Sequence, residues 1–321
     1  MSHSHHEDAP GPQLGHGHTH GPQHGDPLGR GHGHDAGSHT HDGPAFEADG
    51  ADLLDLDGEV LRGYWDAALD RVTAAVVAAP AEGSTEPTRV VDLGAGTGTG
   101  ALGLARRLPD AEVVAVDVSA LSLARVDAKA QAAGVGDRVR TLVADLDGGW
   151  PDLAPIDLTW ASMSLHHLAD PTSSLADLLR ITRPGGLVAV AEFDEPVRFL
   201  PDDLGVGRPG FETRALEMLS AVHAELVPTL GSPWATVLGD VGWTVVDQHD
   251  FVIDERSPDQ PLAGAYARAW FDRLAHGLTG RLDADDEHTL AALLGDAGPH
   301  SLLHRTDLHV RGVRTVTLAR A

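Results

Sequence analysis

The run Val90-Val91-Asp92-Leu93-Gly94-Ala95-Gly96-Thr97-Gly98 constrains this chain more than any other part of it. Apolar Val90, Val91 and Leu93 around a single acid predict a buried strand. Glycines follow at every second position, and Ala101, Leu102, Leu104, Ala105 and Leu108 then recur at helical spacing. A strand, a glycine turn and a helix in that order bring bare backbone against a ligand, because side chains at the turn would occupy the ligand's space. Asp92, two residues before the first glycine, sets a carboxylate at the mouth of the turn. There it repels a pyrophosphate and suits a cationic, amine-bearing ligand.

Four more apolar runs follow. Val113 to Asp117 ends in an acid 19 residues after Gly98, where a carboxylate suits two ribose hydroxyls. Val139 to Ala144 is followed by Asp145, placed to accept from an adenine amine. Ile156 to Ala161 leads into Leu165-His166-His167-Leu168. Pro184-Gly185-Gly186 introduces the fifth run, Leu187 to Phe193. Five such runs separated by helical segments predict an α/β fold with a doubly wound parallel sheet and right-handed crossovers. The turn alone is ambiguous, since Gly96-Thr97-Gly98-Thr99-Gly100-Ala101 also fits the dinucleotide fingerprint. A nicotinamide-dependent oxidoreductase is thus an alternative, disfavoured by Asp92 and by the run through Pro184-Gly185-Gly186.

From about residue 88 to 193 the chain resembles the class I S-adenosylmethionine (SAM)-dependent methyltransferases that act on small molecules. The residues that carry the resemblance are Asp92 to Gly98, Asp117, Asp145, Leu165 to Leu168 and Pro184 to Gly186. The resemblance implies a Rossmann-like, seven-stranded sheet, mostly parallel with the last strand antiparallel. It implies SAM as cofactor and a small-molecule acceptor methylated on oxygen, nitrogen or carbon. The cofactor positions carried over are Asp92, Gly94, Ala95, Gly96, Gly98, Asp117, Val118, Asp145, Leu146 and Ser162. In this fold the end of the fourth strand faces the methyl group, so His166 and His167 are the candidate catalytic residues. One is expected to face the acceptor and the other the interior, with His167 the choice for the acceptor side. The competing reading is that both imidazoles tie down the loop before a helix near Pro171. Glu192 and Asp194 are candidates to orient a polar acceptor, or else cap a helix or face solvent.

A helix is expected to begin near Asp57, with Val60, Leu61, Tyr64, Trp65, Ala68, Leu69, Val72 and Val76 on one face. It packs on the sheet, or closes over the cofactor as such helices do in the family, through Tyr64 and Trp65. Beyond the fifth strand, Glu212 to Leu226 and Trp234 to Val241 read as helices. Trp243 to Ile253 and His309 to Leu318 read as the sixth and seventh strands. The roughly 55 residues between them (about 254–308) form an insertion with helical stretches at Leu262 to Leu274 and Asp283 to Leu294. Insertions of that length are usually functional, and a lid is expected here. Tyr266, Trp270 and Phe271 line it or are ordinary helix core.

Residues 1–50 stand apart as a tail, and 51–321 form the catalytic domain. Eleven of the 20 histidines fall in residues 1–42, among Gly, Pro, Ser, Gln and Asp. That composition predicts disorder, because it buries too little apolar area to offset chain entropy. His16, His18, His20, His32, His34, His39 and His41 have spacings suited to Zn²⁺ or Ni²⁺. A metal-handling protein that uses the SAM fold for sensing is the rival from another class. Seven acids and one arginine give residues 1–50 a charge of −6, which protonation of the histidines reverses to +5 around pH ~6.5. The chain's formal net charge of −25 argues against nonspecific nucleic-acid binding. No cysteine is present, so disulfides and thiolate metal sites are excluded. No apolar stretch is long enough for a bilayer and the polar start is unlike a secretory signal, so no membrane partner and a cytoplasmic location are expected.

Overall fold

The computed structural model describes residues 44–83, 88–153, 155–193 and 195–321, with side chains from Ala48 onward. The seven candidate metal histidines and Asp194 lie outside these residues. Each apolar run forms a strand: β1 (Arg89–Leu93), β2 (Glu112–Asp117), β3 (Val139–Val143), β4 (Ile156–Ser162), β5 (Thr182–Glu192), β6 (Thr244–Arg256) and β7 (His309–Arg320). They form one sheet in the order β3-β2-β1-β4-β5-β7-β6. The β1, β2, β3, β4 and β5 pairings are parallel, and β7 runs antiparallel to both β5 and β6. This is the Rossmann-like, seven-stranded methyltransferase architecture that the resemblance implies.

Between the strands lie α3 (Thr99–Arg107), α4 (Ala120–Ala132), α5 (Pro171–Ile181), α6 (Phe211–Leu226) and α7 (Trp234–Val241). The stretch between β6 and β7 carries α8 (Ala263–Gly277) and α9 (Ala284–Leu294). Local chemistry fixes the starts of several of these. Ser119 and Asp170 cap α4 and α5 by accepting from Ser122 and Ser173 backbone amides, and Pro171 fills the first turn of α5.

Two boundaries differ from expectation. Helical structure begins at Pro44, not near Asp57, as α1 (Pro44–Val60), and α2 (Arg62–Ala78) follows after Leu61. The acids at Asp49, Asp52, Asp55 and Asp57 give the start of α1 the polar look of the tail, yet Ala51, Leu53 and Leu56 on the same helix pack inward. β5 also begins earlier, taking in Pro184-Gly185-Gly186. Thr182 already pairs with Ile156, and the register shifts before Leu187 meets Leu158, with Gly185 at φ 75°.

Strand alternation divides the core between the two faces of the sheet. Val90, Leu158, Trp160, Ala189, Ala191, Val316 and Leu318 pack on the face that α2 and α3 cover. Val91, Leu93, Ala161, Val188, Val190 and Ala319 pack on the other, with Leu175, Leu178, Trp234 and Leu238 of α5 and α7. Tyr266, Trp270 and Phe271 of α8 group around Phe199 at centroid distances of 5.2, 5.4 and 6.0 Å. Tyr266 and Phe271 are buried, so these rings are helix core. Among the described residues, no helix is long and apolar enough to cross a membrane.

Candidate functional site

The glycine turn leaves β1 with Gly94, Gly96 and Gly98 all at positive φ, 65°, 51° and 88°. L-residues with a Cβ avoid that region, so the turn requires glycine for its path as well as for its bare surface. Space is also short. A Cβ on Gly94 would stand 2.4 Å from Ser164 Cβ, and one on Gly98 would stand 2.9 Å from Val126. α1 lies across the outer side of the turn, where a Cβ on Gly96 would meet Leu54 Cδ1 at 2.8 Å. Arg125 holds Asp52 at 2.7 Å and Asp55 at 2.8 Å, fixing α1 to α4. Lys129 bonds Asp55 as well and donates to the Thr97 carbonyl at 3.0 Å.

Asp92 sits beneath this turn with 2% of its surface exposed. Burial pushes its carboxyl up to about 7; the Ala101 backbone N–H opposes that, and the Asp117 charge adds to it. Asp92 Oδ2 is buried without a hydrogen-bond partner. Gly100 packs directly against it, since a Cβ there would stand 2.8 Å from that oxygen and 2.7 Å from Trp160 Nε1. Trp160 Nε1 is likewise buried and unpartnered. An orphaned carboxylate oxygen beside bare backbone fits a cationic amine.

Asp117 closes β2 and ties two turns together. Its Oδ2 accepts from Gly96 N at 2.8 Å and its Oδ1 from Ser119 N at 2.8 Å. Ala95 N donates to the Val116 carbonyl at 2.9 Å, so the glycine turn is pinned to the end of β2. Val118, 52% exposed, follows Asp117. Asp145 caps a 3₁₀ turn at Leu146–Gly148 by accepting from Asp147 N at 3.0 Å. Asp92, Asp117 and Asp145 thus stand at or just beyond the C-terminal ends of the parallel strands β1, β2 and β3.

At the end of β4 the backbone is strained. Met163 has φ 56°, a non-glycine residue in the left-handed region, and its N–H is held by the Ala191 carbonyl at 2.9 Å. Such residues cluster where chemistry demands a set geometry. Ser164 follows, its hydroxyl donating to the Leu93 carbonyl at 2.8 Å. His166 and His167 then diverge. His166 is 7% exposed, with Nδ1 2.7 Å from Glu192 Oε2, and its carbonyl accepts from Thr229 Oγ1 at 2.7 Å. His167 is exposed, its ring centroid 4.1 Å from that of His166.

Sequence reasoning missed the polar network on the opposite face. Asp57 of α1 pairs with Arg314 of β7 through both oxygens, Nη1–Oδ1 at 3.1 Å and a shorter Nη2–Oδ2 contact. Asp57 also accepts from Tyr266 Oη at 2.7 Å and Trp65 Nε1 at 3.1 Å. Burial opposes ionisation of Asp57, but the Arg314 charge and these donors outweigh it and hold its carboxyl below the usual range. The Arg314 guanidinium lies over the Tyr64 ring, 4.9 Å from its centroid. A signal was available. Arg314 shares strand parity with Val310, Val316 and Leu318, all buried, so a charge stands at an inward position.

Residues 90–186 match a family described as methyltransferase domain. The chain is 36% identical over 151 residues to 27-O-demethylrifamycin SV methyltransferase of Amycolatopsis mediterranei, covering 44% of this chain and 55% of that protein. It is 40% identical over 111 residues to a demethylmenaquinone methyltransferase of Thermus thermophilus, covering 34% and 49%. The chain thus spans about half the length of these curated relatives. Among solved structures, it is similar to a SAM-dependent methyltransferase from Geobacter sulfurreducens in complex with S-adenosyl-L-homocysteine (SAH), at 18% identity and a TM-score of 0.45, covering 79% of this chain and 90% of that one. With its glycine turn, strand-end acids and strand order, this region resembles a methyltransferase domain of the class I, SAM-dependent kind.

Proposed function

We propose that the protein transfers the methyl group of SAM to a small-molecule acceptor. The observation that carries the reading is the orphaned Asp92 Oδ2 beneath a turn whose three glycines all take positive φ. Asp92 is placed to hold the amine, Gly94, Ala95, Gly96 and Gly98 to give backbone contact, and Asp117 with Val118 to hold the ribose. Asp145 and Leu146 serve the adenine. SAM supplies an activated methyl on a good leaving group. What remains for the chain is alignment and exclusion of water, which contributes roughly 7–11 kcal/mol in well-oriented reactions.

The catalytic pair in this reading is His166 with Glu192. Glu192 Oε2 accepts from Nδ1–H of His166 in the tautomer that leaves Nε2 with its lone pair. Nε2 then takes the proton of an acceptor hydroxyl, amine or acidic carbon, and Glu192 steadies the imidazolium that forms. Such a base contributes on the order of 10²–10⁴ in rate. The helices between β6 and β7 act as an acceptor lid. The tail's eleven histidines bind divalent Zn or Ni independently of this chemistry. Tritiated SAM incubated with the protein and a metabolite extract of its native cell tests the reading: label should move into a small-molecule fraction. Retention of all label in SAM, with SAH also failing to raise the melting temperature, would overturn it.

A further inference from the structure

β4 ends at Ser162 and α5 begins at Pro171, and the loop between them carries His166 and His167. Three elements tie that loop down. Ser164 bonds the Leu93 carbonyl just before the glycine turn, and the His166 carbonyl accepts from Thr229 in the segment between α6 and α7. The third tie comes from the turn after β3. Asp147 Oδ1 accepts from the Ala169 backbone N–H at 3.0 Å, across 22 positions of sequence. Asp147 stands in the 3₁₀ turn at Leu146–Gly148, which Asp145 caps through the Asp147 backbone N–H. Leu146 and Leu168 pack against the same core cluster, so the two turns are neighbours in packing as well.

We propose that Asp147 is a positioning residue that connects the adenine subsite to the loop of His166. The proposal rests on the methyl-transfer reading above, in which Asp145 and Leu146 serve the adenine and His166 is the base. Both adenine residues immediately precede Asp147, so a ligand settled on them fixes the backbone from which Asp147 reaches Ala169. The turn gains from that. No described atom lies within 4 Å of a Cβ built on Gly148 or Gly149, so little packing holds its far end. At the other end of the contact, Ala169 lies between the 3₁₀ turn Leu165–His167 and Asp170, the cap of α5. Holding its N–H restrains the end of the His166 loop, as Ser164 restrains the start. A ligand favours one arrangement only through contacts that differ between the ordered and the loose state. The Asp147 carboxylate supplies such a contact, and a charged acceptor makes it one of the stronger kinds of hydrogen bond. An occupied adenine subsite thereby steadies His166 against Glu192 before the acceptor arrives.

The test compares amide hydrogen exchange of the full chain with and without SAH, read over residues 146–149 and 164–169. In the wild type SAH should slow both segments, the second by about 10-fold, the size of one charge-assisted hydrogen bond. Asp147 is exposed, so Asp147→Ala should keep the wild-type melting temperature and nearly the wild-type SAH affinity. It should keep the slowing at 146–149 and lose it at 164–169. Asp147→Asn, whose amide oxygen also accepts, should restore it. The imidazole ¹⁵N resonances of His166 should shift on adding SAH in wild type and Asp147→Asn, but not in Asp147→Ala. Slowing at 164–169 that persists in Asp147→Ala would overturn the proposal and assign the link to Ser164 and the glycine turn. A lower melting temperature in Asp147→Ala, with exchange altered equally with and without SAH, would make the contact a structural brace and overturn it too. Both outcomes leave the methyl-transfer reading intact. Failure of SAH to bind the wild type would instead remove both.

Discussion

Asp57 and Arg314, 257 positions apart, form a nearly enclosed ion pair that ties α1 to β7. Tyr266 of α8 and Trp65 of α2 complete the carboxylate's hydrogen bonds. The helix that lies over the glycine turn is thereby joined to the insertion between β6 and β7. Breaking a buried pair by removing one partner costs about 3–5 kcal/mol, because the remaining charge is left uncompensated. Asp57→Ala should lower stability by that order in denaturant titration. Asp57→Asn, which keeps hydrogen-bonding capacity, should lose less. Equal stability of Asp57→Ala and wild type would mean the pair is solvated in solution.

The proposed placement of the amine at Asp92 predicts that cofactor binding depends on pH. The Asp92 carboxyl is raised to about 7 by burial, against about 3.9 in an unfolded chain. The folded state therefore holds a proton that the unfolded state has lost between pH ~4 and ~7. Asp92's contribution to stability is full below that window and is lost as pH rises through it. A cationic amine favours the carboxylate, so SAH should bind more tightly as pH rises from 6 to 8. Calorimetry at pH 6 in buffers of different ionisation enthalpy should detect proton release, and Asp92→Asn should abolish it. Proton uptake on binding would contradict the placement of the amine at Asp92.

The proposed base, His166 with Glu192 at 2.7 Å, is tested by changing the adjacent histidines one at a time. His166→Gln should lower kcat by about 10²–10⁴ and leave SAH affinity nearly unchanged. His167→Gln should have a small effect, since His167 is exposed. Glu192→Gln should lower kcat without removing the imidazole, because a side-chain amide no longer fixes the tautomer. If all three variants lose rate equally and melt earlier, the pair braces the loop and proximity is the source of catalysis.

Gly100 is required by its neighbours. A Cβ would come within 2.7 Å of Trp160 Nε1 and 2.8 Å of Asp92 Oδ2, both in the interior. Overpacking of this kind costs roughly 1–3 kcal/mol. Gly100→Ala should therefore lower the melting temperature and weaken SAH binding together. A variant with unchanged SAH affinity would show that Asp92 is not reached from this side.

The histidine tail is testable by truncation. A chain beginning at residue 44 should lose micromolar Zn²⁺ or Ni²⁺ binding, and SAH should still raise its melting temperature. Joint loss of both would mean that the tail docks on the catalytic domain.

Strand positions, their direction and the glycine turn were legible in the sequence because each follows from local pattern. Runs such as Val113 to Asp117 are apolar on both faces, as strands buried from both sides must be. Gly94, Gly96 and Gly98 mark a path that needs positive φ, which the chain reveals at any such turn. The start of α1 was not legible, since its acids resemble the tail and its apolar residues acquire meaning only against their partners. That His166 meets Glu192, 26 positions away, was likewise closed to sequence, since two identical neighbours carry the same local signal. Arg314 showed as an anomaly of strand parity, but its partner Asp57 did not. The sequence alone determined the strands, the glycine turn and the acids at the strand ends, because backbone conformation and alternation are local. Tertiary structure alone decided which buried polar groups are paired and which are not. That depends on separations of a few ångströms between residues that the chain itself holds far apart.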